Sequence, residues 1–144
     1  MDYRIGAPGR VVVARFDHNE DFVEGLNRLL KKEDIRQGWF NVIGGIAAAK
    51  VVTGPKEPTM PPDPVWQEVT TREVLGGGTV YWDGDEPAVH LHAAMGHHGE
   101  TVTGCVREWA RTYLVLEVTI FEIKGFSAHR PWFAEGGFKR LTFT

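Results

Sequence analysis

The chain has 144 residues, close to the commonest size of one domain, and its 42% hydrophobic and 24% charged residues suit a packed core of ordinary size. A net charge of −3 argues against a protein that grips a nucleic-acid backbone, because phosphate neutralisation supplies most of that affinity. No apolar run reaches the ~18 residues that span a bilayer. Met1-Asp2-Tyr3-Arg4 lacks the charged start and apolar core of a signal peptide, and the single cysteine cannot form an internal disulfide. The expected location is the cytoplasm, without membrane contact.

Arg10 to Phe16 is rich in β-branched residues and reads as a strand. A helix follows, with Asp17 or Asn19 as cap, Glu20 and Asp21 at the positive end of its dipole, and an apolar stripe of Phe22, Leu26, Leu29 and Leu30. Trp39 to Val52 reads as one or two strands, with Gly44-Gly45 as a bulge or bend. Gly54 to Pro64 is rich in proline, so an exposed loop is expected there. Trp66 to Leu75 is a further strand, after which Gly76-Gly77-Gly78 is expected to turn the chain. Thr79 to Trp82 is a short strand, and Asp83-Gly84-Asp85 signals a hairpin. Ala88 to Met95 and Val102 to Trp109 are two more strands, joined by the polar loop Gly96 to Thr101. Thr112 to Lys124 is the longest strand signal and is apolar on both faces, which suits a central, doubly buried strand. Lys139 to Phe143 adds a last edge strand. The fold class is α+β: one domain over residues 4–143, a mostly antiparallel sheet or barrel with one main helix near the N-terminus.

The pattern that carries chemistry is His90-Leu91-His92 in a strand. Side chains alternate faces, so the two imidazoles share one side, about 7 Å apart by strand rise. If the hairpin turns near His98 and Gly99, His92 faces Cys105 one rung from His90. Two imidazoles and a thiolate suit zinc, and three protein ligands leave a fourth position open, as in catalytic sites. A register slip of one would turn Cys105 to the other face. The plainer alternatives are two packed or surface histidines and a small buried cysteine. His97-His98 reads as solvated loop, and His18 and His129 have no evident partner.

Glu117 interrupts the apolar pattern of the long strand. It either orients a metal-bound histidine or serves as a base on bound water, or else forms a structural pair with Arg107 or Arg130. Arg130, after a polar turn, is a candidate anion contact, with a surface ion pair as the alternative.

Three features occur together: Gly9-Arg10 leading into a strand and then Glu20-Asp21; a bend centred on Gly44; and His90-Leu91-His92-Ala93 followed by a Gly-Cys strand and a strand bearing Glu117. In this the chain resembles the plant and prokaryote conserved domain family, often called PPC, over residues 4–143. The resemblance implies a compact α+β homotrimer. In some prokaryotic members it also implies a metal site formed by the His-x-His pair and a histidine of a Gly-Gly-His motif. Here that motif reads Thr103-Gly104-Cys105, so His90 and His92 match and Cys105 stands at the histidine position. A cysteine there either keeps zinc competence or marks a lost site. The fold is similar to that of zinc-dependent acetolactate decarboxylases, an analogy that transfers no activity. In plants the domain accompanies AT-hooks with an Arg-Gly-Arg-Pro core, and no such core is found here.

Two functions follow from this reading. One is a homotrimeric zinc-binding protein with metal-dependent small-molecule chemistry, on a small organic acid for instance. The other is a DNA-associated or regulatory interaction module without catalysis, for which strong direct nucleic-acid contact is not expected.

Overall fold

A computed structural model describes residues 1–144. Its main elements are β1 (Ala7–Asp17), α1 (Phe22–Lys32), β2 (Gly38–Pro55), β3 (Pro64–Asp83), β4 (Glu86–His97) and β5 (Glu100–Lys124). Four two-residue strands follow: β6 (Ala128–His129), β7 (Trp132–Phe133), β8 (Phe138–Lys139) and β9 (Thr142–Phe143). All pairings are antiparallel. The strand order is β1-β5-β2-β3-β4, and β5 also pairs with β4. Strand β5 can do this because it is 25 residues long: residues 100–106 pair with β4, residues 105–122 with β2 and residues 115–124 with β1. The sheet thereby closes on itself, which gives the α+β, barrel-like architecture expected.

One face of this sheet is filled. Phe22, Leu26 and Leu30 of α1 are buried against Phe40, Met95, Leu116 and Ile120 of the strands. The expected stripe is therefore the core face, although Leu29 is only partly buried. Gly25 lets the helix come this close, since a Cβ there would meet the Phe16 ring at 2.6 Å. The helix cap is Asp21, not Asp17 or Asn19: its carboxylate accepts from the Glu24 amide. Asn19 instead takes a left-handed turn at φ 71°, and the Asp17 amide donates to the Glu20 carboxylate.

Several sequence expectations need correction. Residues 38–55 form one continuous strand, with a register shift at Gly44/Gly45 where β5 carries two extra residues, Leu114 and Val115. Leu114 adopts φ 58° in this bulge and points to solvent, so it does not share the buried face of Leu116, Val118 and Ile120. Residues 102–109 and 112–124 belong to the same strand, which is central but buried on one face only. Gly76-Gly77-Gly78 does not turn the chain. Strand β3 runs straight through it, with Gly78 opposite Phe40 and Leu91, and Gly76 opposite Val42 and Ala93. A Cβ on Gly78 would lie 2.3 Å from the His90 carbonyl oxygen and 2.7 Å from the Phe40 ring, so these glycines make room for a core aromatic. The expected edge strand 139–143 is two fragments, β8 and β9, that pair with β7 and β6 rather than with the main sheet.

Candidate metal centre

The outer face of the sheet carries the site. Val11, Phe121, Trp39, Thr79 and His90 follow one another from β1 to β4 as directly paired residues. The next rung runs Val13, Thr119, Asn41, Gly77, His92 and then Cys105 of β5. The hairpin turns at His98-Gly99, so His92 pairs with Cys105 in the expected register. A two-residue turn fixes that register, because His98 (φ 48°) and Gly99 (φ 85°) both adopt the left-handed conformations such a connection requires.

The ligand atoms of His90, His92 and Cys105 all lie within 4.8 Å of one another. The two Nε2 atoms are 2.9 Å apart, close enough to share one proton between the rings. Around a tetrahedral zinc ion, bond lengths of about 2.0–2.3 Å put ligand atoms about 3.3–3.8 Å apart. Small rotations of the rings and of the thiol reach that spacing, so the donor set fits zinc. The histidines face solvent while Cys105 is buried, and the Arg107 Nε donates to its sulfur at 3.4 Å. Partial desolvation of the ring against the sheet, followed by the neighbouring His92, Arg130 and Arg107 charges, pushes the His90 pKa down, which favours the neutral imidazole that metals bind.

Glu117 is not part of this centre, nor is it buried. It is exposed on the outer face, paired with Arg15 and Ile43. It stands three strands from β4, roughly 14 Å at ~4.8 Å per strand, too far to orient a ligand or hold a proton at the site. It makes no ion pair with Arg107 or Arg130 either; Arg15 binds Asp17 instead. The apolar alternation of the strand hid the fact that its second face is open.

Arg130 is where the sequence was least informative. It is buried, at 5% exposure, and belongs to the C-terminal segment that covers the outer face beside β3 and β4. Its Nη1 donates to the carbonyls of Ala88 (2.7 Å) and Thr79 (3.3 Å), and its Nη2 to Thr79 Oγ1 (2.6 Å). Because Thr79 is paired with His90, this sets the guanidinium beside the metal centre. The expected alternative, a surface ion pair, is absent. His97 and His98 form an edge-to-face pair at the hairpin end, separate from the three ligands.

The family model of the Plants and Prokaryotes Conserved (PCC) domain matches residues 3–124. The chain belongs to that family. Solved structures share the fold over nearly the whole chain. The metal-containing protein AF0104 from Archaeoglobus fulgidus is 21% identical with a TM-score of 0.85, covering 99% of each chain. A plant- and prokaryote-conserved protein from Pyrococcus horikoshii is 22% identical with a TM-score of 0.83, covering 100% of this chain and 99% of the other. A hypothetical protein from Salmonella is 18% identical with a TM-score of 0.77, covering 99% and 98%. No protein of curated function matches the sequence. No helix of this PCC domain is long and apolar enough to cross a membrane.

Proposed function

We propose that this PCC-domain protein is a homotrimer that binds one zinc ion per chain through His90, His92 and Cys105 and uses it in small-molecule chemistry. The observation that carries the reading is the convergence of three borderline-to-soft ligand atoms within 4.8 Å, with no fourth protein ligand among them. The Archaeoglobus structure, described as metal-containing, supports it at the level of the fold. Zinc bound there supplies Lewis acidity. The chain's own residues would do the rest: His90 and His92 offer ring nitrogens, Cys105 offers a sulfur whose thiolate would offset part of the ion's charge, and the Arg107 hydrogen bond orients that sulfur. Trimer formation is supported by apolar side chains left open on the outer face, among them Val13, Ile43, Leu75 and Leu114.

Protein purified without a polyhistidine tag tests the site. Elemental analysis is expected to find about one equivalent of zinc per chain, lost by more than about tenfold in His92→Ala and Cys105→Ala. Less than a tenth of an equivalent in the native sequence, unchanged by Cys105→Ser, ends the proposal.

A further inference from the structure

Two ionised side chains are buried in this protein, Glu122 and Arg130. Glu122 is matched, because Arg10 bonds it through its backbone amide, Nε and Nη2. Arg130 is not matched. Its three hydrogen bonds go to neutral oxygens, it lies 5.0 Å from the centre of the Tyr81 ring, and no carboxylate is within ion-pair distance. An uncompensated buried charge is costly, and a fold that retains one beside a ligand site is prepared for an anion.

The surroundings agree. The outer-face positions nearest the centre are Gly77, Thr79, Ala88, Ala94 and Thr103, and none is acidic. The second cation, Arg107, faces Cys105. A divalent ion held by two neutral imidazoles and one thiolate keeps a charge of about +1, so the centre with its two guanidiniums is strongly positive. There is also room. Gly77 carries no side chain opposite His92.

We propose that this centre binds a small carboxylate, its anionic group on Arg130 and its neighbouring oxygen over the gap at Gly77 beside the metal. The inference rests on the metal reading above. A guanidinium has five N–H groups, and Arg130 uses three, which leaves two. Two parallel donors are what a carboxylate takes side-on. Phosphate, with a second charge and tetrahedral oxygens, asks for more donors than remain. Arg130 lies beyond residues 3–124, the part matched by the family model, so the anion contact is supplied by this chain's C-terminal segment.

Cobalt(II) replaces zinc in the test, because its visible absorption reports the ligands around it. Cobalt stoichiometry is measured first by equilibrium dialysis, and glycolate is then titrated against the spectrum, with ethylene glycol as the neutral comparator. Glycolate is expected to change the spectrum saturably and ethylene glycol not. Arg130→Gln is expected to keep the cobalt stoichiometry and weaken glycolate by about tenfold or more, the loss of a charge-assisted bidentate contact. Equal glycolate affinity in Arg130→Gln, or an equal response to ethylene glycol, overturns the inference. So does bound cobalt whose spectrum ignores glycolate, and that result leaves the metal reading standing. Failure of the native protein to bind cobalt removes both. If Arg130→Gln does not fold, Arg130→Lys takes its place, keeping the charge but losing the side-on pair of donors: glycolate weakened at full cobalt occupancy supports the inference, and unchanged affinity overturns it.

Discussion

At the scale of single residues, position on the sheet decides what a side chain can do. Glu117→Gln is expected to leave zinc affinity unchanged, because two strands, β2 and β3, lie between the carboxylate and His92; competition against a colorimetric chelator measures this, and a loss of more than about threefold would put Glu117 back in the site. Glu122 carries an opposite expectation. The Arg10 side-chain bonds, helped by the Arg10 backbone amide, hold its pKa at about 2 against an ordinary 4.5. A carboxylate depressed by folding stabilises the protein fully above its unfolded pKa, and that contribution is lost as pH falls toward the folded value. Glu122→Gln should therefore lower the melting temperature by several degrees at pH 7. The gap from the native protein should narrow from about pH 4.5 downward, and thermal melts across pH 3–7 measure it. The two carboxylates also show what a sequence conceals. Both stand in the same apolar strand pattern, and only the partner strands reveal that Glu122 meets Arg10 while Glu117 faces water.

At the scale of elements, the metal pair was legible because it lies in a tight hairpin. Strand alternation places His90 and His92 on one side, and a two-residue turn at His98-Gly99 fixes which residue faces which, so the meeting of His92 with Cys105 could be read in advance. Longer-range features were not legible. The bulge at Leu114-Val115 answers to Gly44 on β2, about 70 residues earlier, and the burial of Arg130 depends on a tail whose strands are two residues each. The three glycines were misread for a related reason: glycine marks both turns and places where a neighbour comes very close, and the neighbour, Phe40, is distant in sequence. This yields a contrast between adjacent sites. Gly78→Ala drives a Cβ into the His90 carbonyl and the Phe40 ring and is expected to cost about 2–3 kcal/mol, the range for overpacking. At Gly77 the closest atom to a Cβ is the Phe40 carbonyl oxygen at 3.1 Å, so Gly77→Ala should cost less than about 1 kcal/mol. Urea denaturation separates the two, and equal losses would refute the packing account.

At the scale of the whole molecule, the outer face has two parts. At Thr79 of β3 and Ala88 of β4 it is covered by the C-terminal segment, and beside that cover it bears the metal centre. Toward β1, the middle of β3 and the bulge of β5 it is open, with Val13 at 75%, Leu75 at 68% and Leu114 at 64% exposure. Leu114 is the most informative of these. A non-glycine residue at φ 58° holds a strained backbone, of order 1 kcal/mol or more, and here the strain presents a large apolar side chain to solvent. The left-handed conformation is tied down by His18, whose Nδ1 accepts from the Leu114 amide at 3.2 Å. Such an arrangement makes sense if Leu114 enters a neighbouring copy, as the proposed trimer requires. Light scattering coupled to size exclusion is then expected to give three times the chain mass of 16.1 kDa for the native protein. Leu114→Asp, which sets a charge in the contact without touching the buried core, should give the mass of one chain with the circular dichroism of a folded sheet. A native protein of single-chain mass removes the trimer. A Leu114→Asp variant that still elutes as three chains places the contact elsewhere on the molecule.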